Sequence, residues 1–209
     1  MDQGTQEWKE ARLGCVTASR VSDVIARTKS GYGASRANYA AQLIAERLTG
    51  VVTEGFVNAA MQWGTDTEDS ARAAYEFQTG IVVEQVGFIM HPSIQMTGAS
   101  PDGFAGDDGL LECKCPNTAT HIETLISGKI AEKYLTQMHW QMACTGRKWC
   151  DFVSFDPRMP EHMQLFVQRV KRDDARIDEL EREVVGFLAE IDERIKILTR
   201  KYPKIAEAA

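Results

Sequence analysis

The 209-residue sequence predicts an α/β fold with a central mixed sheet flanked by helices. Three observations carry this. Apolar positions recur at helical spacing near both ends of the chain. The period drops to two in two separate stretches between them. The resulting order of helices, strands, helices, strands and a last helix fits a layered α/β arrangement over residues 1–209, read as one domain.

The elements follow in chain order. "TASRVSDVIA" (17–26) places Thr17 and Ser19 ahead of Val21, Val24 and Ile25, the pattern of a helix start. "SRANYAAQLIAERLTG" (35–50) predicts a helix capped by Ser35 and ended by Gly50. "TDTEDSARAAYEFQTG" (65–80) predicts another, with acids in its first turn and Gly80 at its stop. "IVVEQVGFIM" (81–90) and "IQMTGAS" (94–100) predict strands. "TATHIETLISG" (118–128) and "KYLTQMHWQMACTG" (133–146) predict helices ended by glycine. "KWCDFVSF" (148–155) and "MQLFVQRV" (163–170) predict strands joined by the loop "DPRMPEH". A long helix from about Asp173 to Arg200 carries Ile177, Leu180, Val184, Phe187, Leu188, Ile191, Ile195 and Leu198 in one stripe, facing either the core or another subunit. "KSGYG" (29–33) reads as a mobile connecting loop.

Composition is globular, with 44% hydrophobic and 26% charged residues. No apolar run reaches the ~20 residues of a membrane span, and the polar, acidic start predicts no signal peptide. Five cysteines without a secretion signal predict reduced thiols. No C-x2-C or H-x3-H spacing marks a zinc or iron–sulfur site. His91, His121, His139 and His162 are scattered. The net charge of −6 argues against a general nucleic-acid coat. It leaves room for a nuclease, because an active site can be locally basic and bound metal adds positive charge.

The chemistry gathers in "GASPDGFAGDDGLLECKCP" (98–116). "SPDG" and "GDDG" are turn sequences. A hairpin centred near Asp107 sets Asp102 opposite Glu112. Glu112 and Lys114 share one strand face, and Cys113 points the other way. Two carboxylates held together repel, and one tends to take a proton. Mg²⁺ removes that penalty and takes oxygen ligands, for which the Cys113 carbonyl is a further candidate. Lys114 is placed to orient water or take its proton, provided that burial and metal lower its pKa. An Asp…Glu-x-Lys spacing also occurs in surface hairpins with acidic turns, so the flanking sequence decides.

The flanks resemble the PD-(D/E)xK nuclease superfamily, and more narrowly the phage lambda exonuclease (alkaline exonuclease) family. The similarity runs in order through "EWKEARLGCVTAS" (7–19), "WGTDTEDSAR" (63–72), "SPDG" (100–103), "ECKCP" (112–116), "YLTQ" (134–137) and "DPRM" (156–159). The resemblance implies a PD-(D/E)xK restriction-endonuclease-like core. It implies metal binding by Asp102, Glu112, the Cys113 carbonyl and Glu68, and catalysis by Lys114 with Gln137. It assigns Arg12, with Thr17 and Ser19, to a terminal 5′-phosphate. Ser100 and Tyr134 fall beside the DNA track, and Met61 stands where the family has an apolar wedge residue, a leucine for which methionine is a mild departure. The family's longer N-terminal lead is missing here, so contacts made by that arm do not carry over.

The implied activity is Mg²⁺-dependent, with two ions and Mn²⁺ as a substitute. It is 5′-to-3′ digestion of one strand of linear double-stranded DNA to 5′-mononucleotides, leaving 3′ tails. A homotrimeric ring, a single-strand annealing recombinase as partner, and a phage or prophage setting in the bacterial cytoplasm follow from the same resemblance. The alternatives are a structure-specific or restriction-type endonuclease on the same core, and a catalytically dead DNA-end-binding protein. The intact Asp102–Glu112–Lys114 set speaks against the second. Independently of the family, Arg12 lies just before a hydroxyl-rich helix start, where a bidentate guanidinium and free N–H groups suit an anion.

Overall fold

A computed structural model describes residues 2–53 and 59–203, with the side chains of Ala60 and Met61 also outside the description. The chain begins with a six-residue helix, α1 (Gln6–Ala11), whose Thr5 cap accepts a hydrogen bond from the Trp8 amide. It buries no residue, which is why hydrophobic periodicity did not reveal it. Next come β1 (Val16–Thr17), a 3₁₀ turn (Ala18–Arg20) and α2 (Val21–Val24). The single helix expected over 17–26 is therefore broken, and Thr17 makes no side-chain cap. "KSGYG" is no plain loop: β2 (Arg27–Thr28) and β3 (Gly31–Tyr32) form a small antiparallel hairpin.

Helix α3 (Ala34–Thr49) is capped by Gly33 rather than Ser35 and ends on Gly50 in the left-handed region. Helix α4 (Ala59–Thr79) starts earlier than expected, so Asp66, Glu68 and Asp69 lie inside the helix instead of its first turn. A favourable helix-end charge thus does not explain them. The expected strand over 81–90 is two strands, β4 (Val83–Glu84) and β5 (Ile89–Met90), separated by residues engaged elsewhere. The Val86 carbonyl accepts from Gln3, and Gln85 faces the Arg72 guanidinium.

Strands β6 (Thr97–Ala99), β7 (Gly103–Ala105) and β8 (Gly109–Lys114) follow, then α5 (Thr118–Ser127) and α6 (Glu132–Thr145). Strands β9 (Trp149–Phe155) and β10 (Leu165–Lys171) precede the long α7 (Asp174–Lys201). The larger sheet has the order β10-β9-β8-β7-β4, and β8 runs parallel to β9 while its other pairs are antiparallel. A second sheet, β1-β6-β5, is also mixed. The parallel β8–β9 pair needs a crossover, supplied by α5 and α6.

Side chains alternate across β8. Leu111 and Cys113 enter the layer under α4 with Ala71 and Tyr75. Leu110 enters the layer under α6 with Met138, Met142 and Phe152, and Glu112 bonds to α6 on that same side. Six residues of the α7 stripe, Ile177 through Ile191, are buried within this chain. Val184 and Phe187 pack with Leu43 of α3 and Trp140 of α6. This part of the stripe therefore faces the core, Ile195 packs partly buried against the same cluster, and Leu198 at the end is exposed. The five cysteines are free thiols. His91 stacks on Trp140 and meets Glu181 at 3.2 Å as part of the packing.

Gly98 shows how tightly the small sheet is built. A Cβ there would stand 2.5 Å from the Ile89 carbonyl oxygen and 2.6 Å from the Phe88 ring. Backbone cannot yield as a flexible side-chain tip can. Gly98→Ala is expected to cost about 1–3 kcal/mol, read as a lower urea midpoint at unchanged slope.

Candidate functional site

The turn after β7 has the expected register. Gly103 faces Leu111 and Ala105 faces Gly109, which sets Asp102 across from Glu112. The Asp102 amide donates to the Leu111 carbonyl at 3.2 Å. Asp102 Oδ2 accepts from the Cys113 amide at 2.6 Å. Cys113 itself points into the α4 layer, as its place in the alternation requires.

Glu112 is fully buried. Its Oε1 pairs with Lys114 Nζ and accepts from Gln137 Nε2 at 2.7 Å. Its Oε2 accepts from Gln141 Nε2 at 2.5 Å. Burial pushes the Asp102 carboxyl well above its ordinary range, and the Glu112 carboxylate pushes it further. For Lys114, burial by itself acts in the expected direction and pulls the ammonium down, and it is the two neighbouring carboxylates, Glu112 and Asp102, that turn the net shift upward. Tyr134, one turn before Gln137, stacks on Phe152 and carries Lys114 Nζ 5.3 Å from its ring centroid.

Glu68 reaches the cluster from α4. It shares a cavity of about 120 Å³ with Asp2, Gln3, Gln85, Val86 and Asp102. Burial raises its carboxyl, and Arg72, 3.5 Å away, opposes that. Met61 lies on the same helix, but its side chain falls outside the described residues.

Arg12 stands at the end of α1, its guanidinium stacked on Trp8 at 3.7 Å. Trp8 is pinned in turn by its indole N–H to Ser100 Oγ at 2.9 Å. Ser100 therefore touches Arg12's support, directly before the Pro101–Asp102 turn. Arg12 Nε is buried without a hydrogen-bond partner, and no carboxylate pairs with Arg12 among the described residues. Burial lowers its pKa. Arg12, Thr17, Ser19, Ser100 and Gln137 line one cleft of about 160 Å³ together with Gln3 and Trp8. The hydroxyls of Thr17 and Ser19 lie 3.5 Å apart. The expected helix-dipole contribution fails, because a 3₁₀ turn and a four-residue helix follow Thr17. What the cleft offers is a guanidinium without a carboxylate partner among the described residues and the two hydroxyls.

The family of the YqaJ-like viral recombinase domain matches residues 7–148, a span that includes both the hairpin and the Arg12 cleft. The chain belongs to this family. A solved structure of the alkaline exonuclease LHK-Exo from Laribacter hongkongensis is similar to this YqaJ-like domain at 57% identity and TM-score 0.88, covering 94% of this chain and 97% of the other. The same enzyme in complex with dAMP is similar at 58% identity, with the same TM-score and coverage. A phage-related exonuclease from Haemophilus somnus 129PT shares the fold at 15% identity and TM-score 0.70, covering 88% of this chain and 96% of that one. No curated protein matches the chain.

The donor set of the YqaJ-like domain fits a hard cation. Asp102, Glu112 and Glu68 offer oxygen only, and burial first, then the Glu112 carboxylate, push the Asp102 carboxyl upward. Among the described residues no three His, Cys, Asp or Glu side chains already form a cage. Mg²⁺ needs none, since it binds through one or two carboxylates and keeps several waters.

Several members of the site carried no assigned role in the sequence. Trp8 sat inside a quoted motif, but its contact with Ser100 spans 92 residues. Gln3 donates to the Val86 and Pro101 carbonyls at 2.9 and 2.7 Å and lines both cavities. Gln141 had one available signal, its four-residue spacing from Gln137. The "DPRM" loop is a support. Asp156 is buried, and Arg158 holds it through Nε and NH2 at 2.7 and 3.0 Å while stacking over Trp63.

Burial alone would raise the Asp156 carboxyl, but hydrogen bonds from Arg158 and Thr118 hold it down at about 2. A carboxyl depressed in the folded state contributes stability above its unfolded pKa of about 4. That contribution disappears as pH falls from about 4 towards 2. Asp156→Asn is expected to cost on the order of 1–2 kcal/mol at pH 7, discounted because Arg158 is half exposed. The difference from wild type should shrink below pH 3 in denaturant titrations.

Proposed function

We propose that this chain is a metal-dependent DNA exonuclease that digests one strand of linear duplex from the 5′ end, releases 5′-mononucleotides and leaves 3′ tails. The carrying observation is that Gln137 lies at once on Glu112 and in the cleft of the unpaired Arg12. This adjacency of the acidic cluster and the Arg12 cleft supports reading the one as hydrolytic and the other as the pocket for a terminal phosphate. The similarity to an alkaline exonuclease supports the reaction class, and the dAMP complex of that relative suits a mononucleotide product.

In this reading Asp102, Glu112, Glu68 and the Cys113 carbonyl hold Mg²⁺, or Mn²⁺ in its place, as two ions in a PD-(D/E)xK site. The chemistry supplied there is polarisation of the scissile phosphodiester and activation of water. Lys114, held as an ammonium, donates to the negative charge that develops on the phosphate and orients the attacking water. Gln137 turns the Glu112 carboxylate. Arg12, supported by Trp8 and Ser100, receives the terminal 5′-phosphate with Thr17 and Ser19 around it. Tyr134 flanks the strand, and Met61 takes the wedge position. A closed homotrimer would keep an acidic protein on DNA by topology, without a broad basic surface. The 3′ tail would serve a single-strand annealing recombinase in phage-type homologous recombination in a bacterial cytoplasm. No described helix is long and apolar enough to cross a membrane.

The test is linear duplex with and without 5′-phosphate, incubated with Mg²⁺, stopped with EDTA, and sized over time. The expected result is mononucleotide release that EDTA abolishes, with closed circular duplex left intact. Nicked circles would instead indicate an endonuclease. No release under any divalent cation would leave an end-binding protein without catalysis.

A further inference from the structure

The two oxygens of Glu112 are not equivalent. Oε1 carries Lys114 and Gln137. Lys114 is partly exposed, and Gln137 lines the Arg12 cleft, so Oε1 is the oxygen on the open side. Oε2 faces inward to Gln141, which is fully buried. On this side of β8, Leu110, Met138, Met142, Cys150 and Phe152 form an apolar layer that offers a carboxylate oxygen almost nothing. The Gln141 amide is oriented from its other end, where its Oε1 lies 3.9 Å from the Cys150 thiol. Its NH2 group is thereby committed to Glu112.

From this arrangement we infer that Gln141 is a positioning residue for the candidate metal site: it fixes the rotation of the Glu112 carboxylate so that Oε1 alone is presented to a divalent cation. The inference rests on the metal-dependent reading above. A neutral amide suits this task. It satisfies an inward oxygen that would otherwise be buried unpaired, and it adds no positive charge to compete with an arriving cation. A lysine or arginine at position 141 would cancel the carboxylate's charge. An apolar residue would leave Oε2 without a donor and the carboxylate held from the Oε1 side alone. Partners that orient metal ligands typically alter metal affinity by about 10- to 100-fold when removed.

The experiment measures Mn²⁺ binding to the full chain without DNA, by the electron paramagnetic resonance signal of free Mn²⁺. The proteins are wild type, Gln141→Met, Gln141→Asn and Met138→Leu. Methionine keeps the volume and removes the donor. Asparagine keeps the amide but is one methylene too short to reach. Met138→Leu perturbs the same layer without removing a hydrogen-bond donor from Glu112. Weakening of about 10-fold or more in whichever Gln141 variants fold, with Met138→Leu near wild type, is the expected result. Affinity within twofold of wild type in a folded Gln141 variant would overturn the inference, as would equal weakening in Met138→Leu. Wild type that binds no Mn²⁺ would overturn it together with the metal reading. Wild type that binds Mn²⁺ but releases no nucleotide would fail only the exonuclease reading, because the binding comparison stands by itself.

Discussion

Lys114→Ala is expected to lower single-turnover hydrolysis of linear duplex by about 10²- to 10⁴-fold at saturating Mg²⁺, the range for a positioned acid–base or charge-stabilising group. End binding should persist, because Arg12 and its cleft lie on other elements. The fold should persist too, since Gln137 and Gln141 still hold both Glu112 oxygens. The lysine's partner adds a second arm. Lys114 pairs with Glu112, and the proposal that it acts through its positive charge rather than by giving up a proton predicts a difference between charge-keeping and charge-removing variants. Lys114→Arg should then keep more activity than Lys114→Ala, although its planar fork will not reproduce a compact ammonium. Equal loss in both variants would return Lys114 to the role of a proton acceptor. Near-normal turnover in Lys114→Ala would remove the hairpin as the active site. Release of acid-soluble nucleotide with enzyme in excess over DNA ends reads all three outcomes.

Arg12→Ala is expected to slow digestion of 5′-phosphorylated ends by about 10- to 150-fold, the equivalent of one charge-assisted contact of about 1.5–3 kcal/mol, with much less effect on 5′-hydroxyl ends. The structure gives a reason for that size. Arg12 has no carboxylate partner among the described residues, its Nε has no acceptor, and its charge is half buried against Trp8. A cation held this way gains more from an arriving phosphate than one already paired. Trp8→Ala, which removes the support without the charge, should reproduce part of the loss on phosphorylated ends only. Initial rates for wild type and both variants on both ends decide it. Loss by the same factor on each end would mean that Arg12 does not read the terminal phosphate and that direction is set elsewhere.

Much of the hairpin was legible because it is local. Turn residues at both ends and a period of two fix which side chains of β8 share a face. Asp102 across from Glu112 therefore followed from counting. The same counting failed where hydrogen bonds leave the ladder. Residues 81–90 kept strand composition but split between two sheets, with Gln85 and the Val86 carbonyl bonded to Arg72 and Gln3. The 17–26 stretch had a helix's apolar spacing, yet the Thr17 amide is taken by the Tyr39 hydroxyl from α3. Tertiary partners overrode a correct local pattern in both places.

The α7 stripe marks the boundary most plainly. Its periodicity fixed a helix with one apolar side, and nothing in it could say whose surface covers that side. Only the packing of Val184 and Phe187 with Leu43 and Trp140 assigns it to this chain's own core. The sequence by itself determined the fold class, the hairpin with its acid–acid–lysine face, and, through colinear motifs, the family. The tertiary structure decided how those groups are charged and held. The pairing of Lys114 with Glu112, the stacking of Arg12 on a tryptophan pinned by Ser100, and the grip of Gln141 on Glu112 are contacts between residues 2 to 92 positions apart. Electrostatics and hydrogen bonding depend on distance in space and on burial, and neither is written in the spacing of residues along a chain.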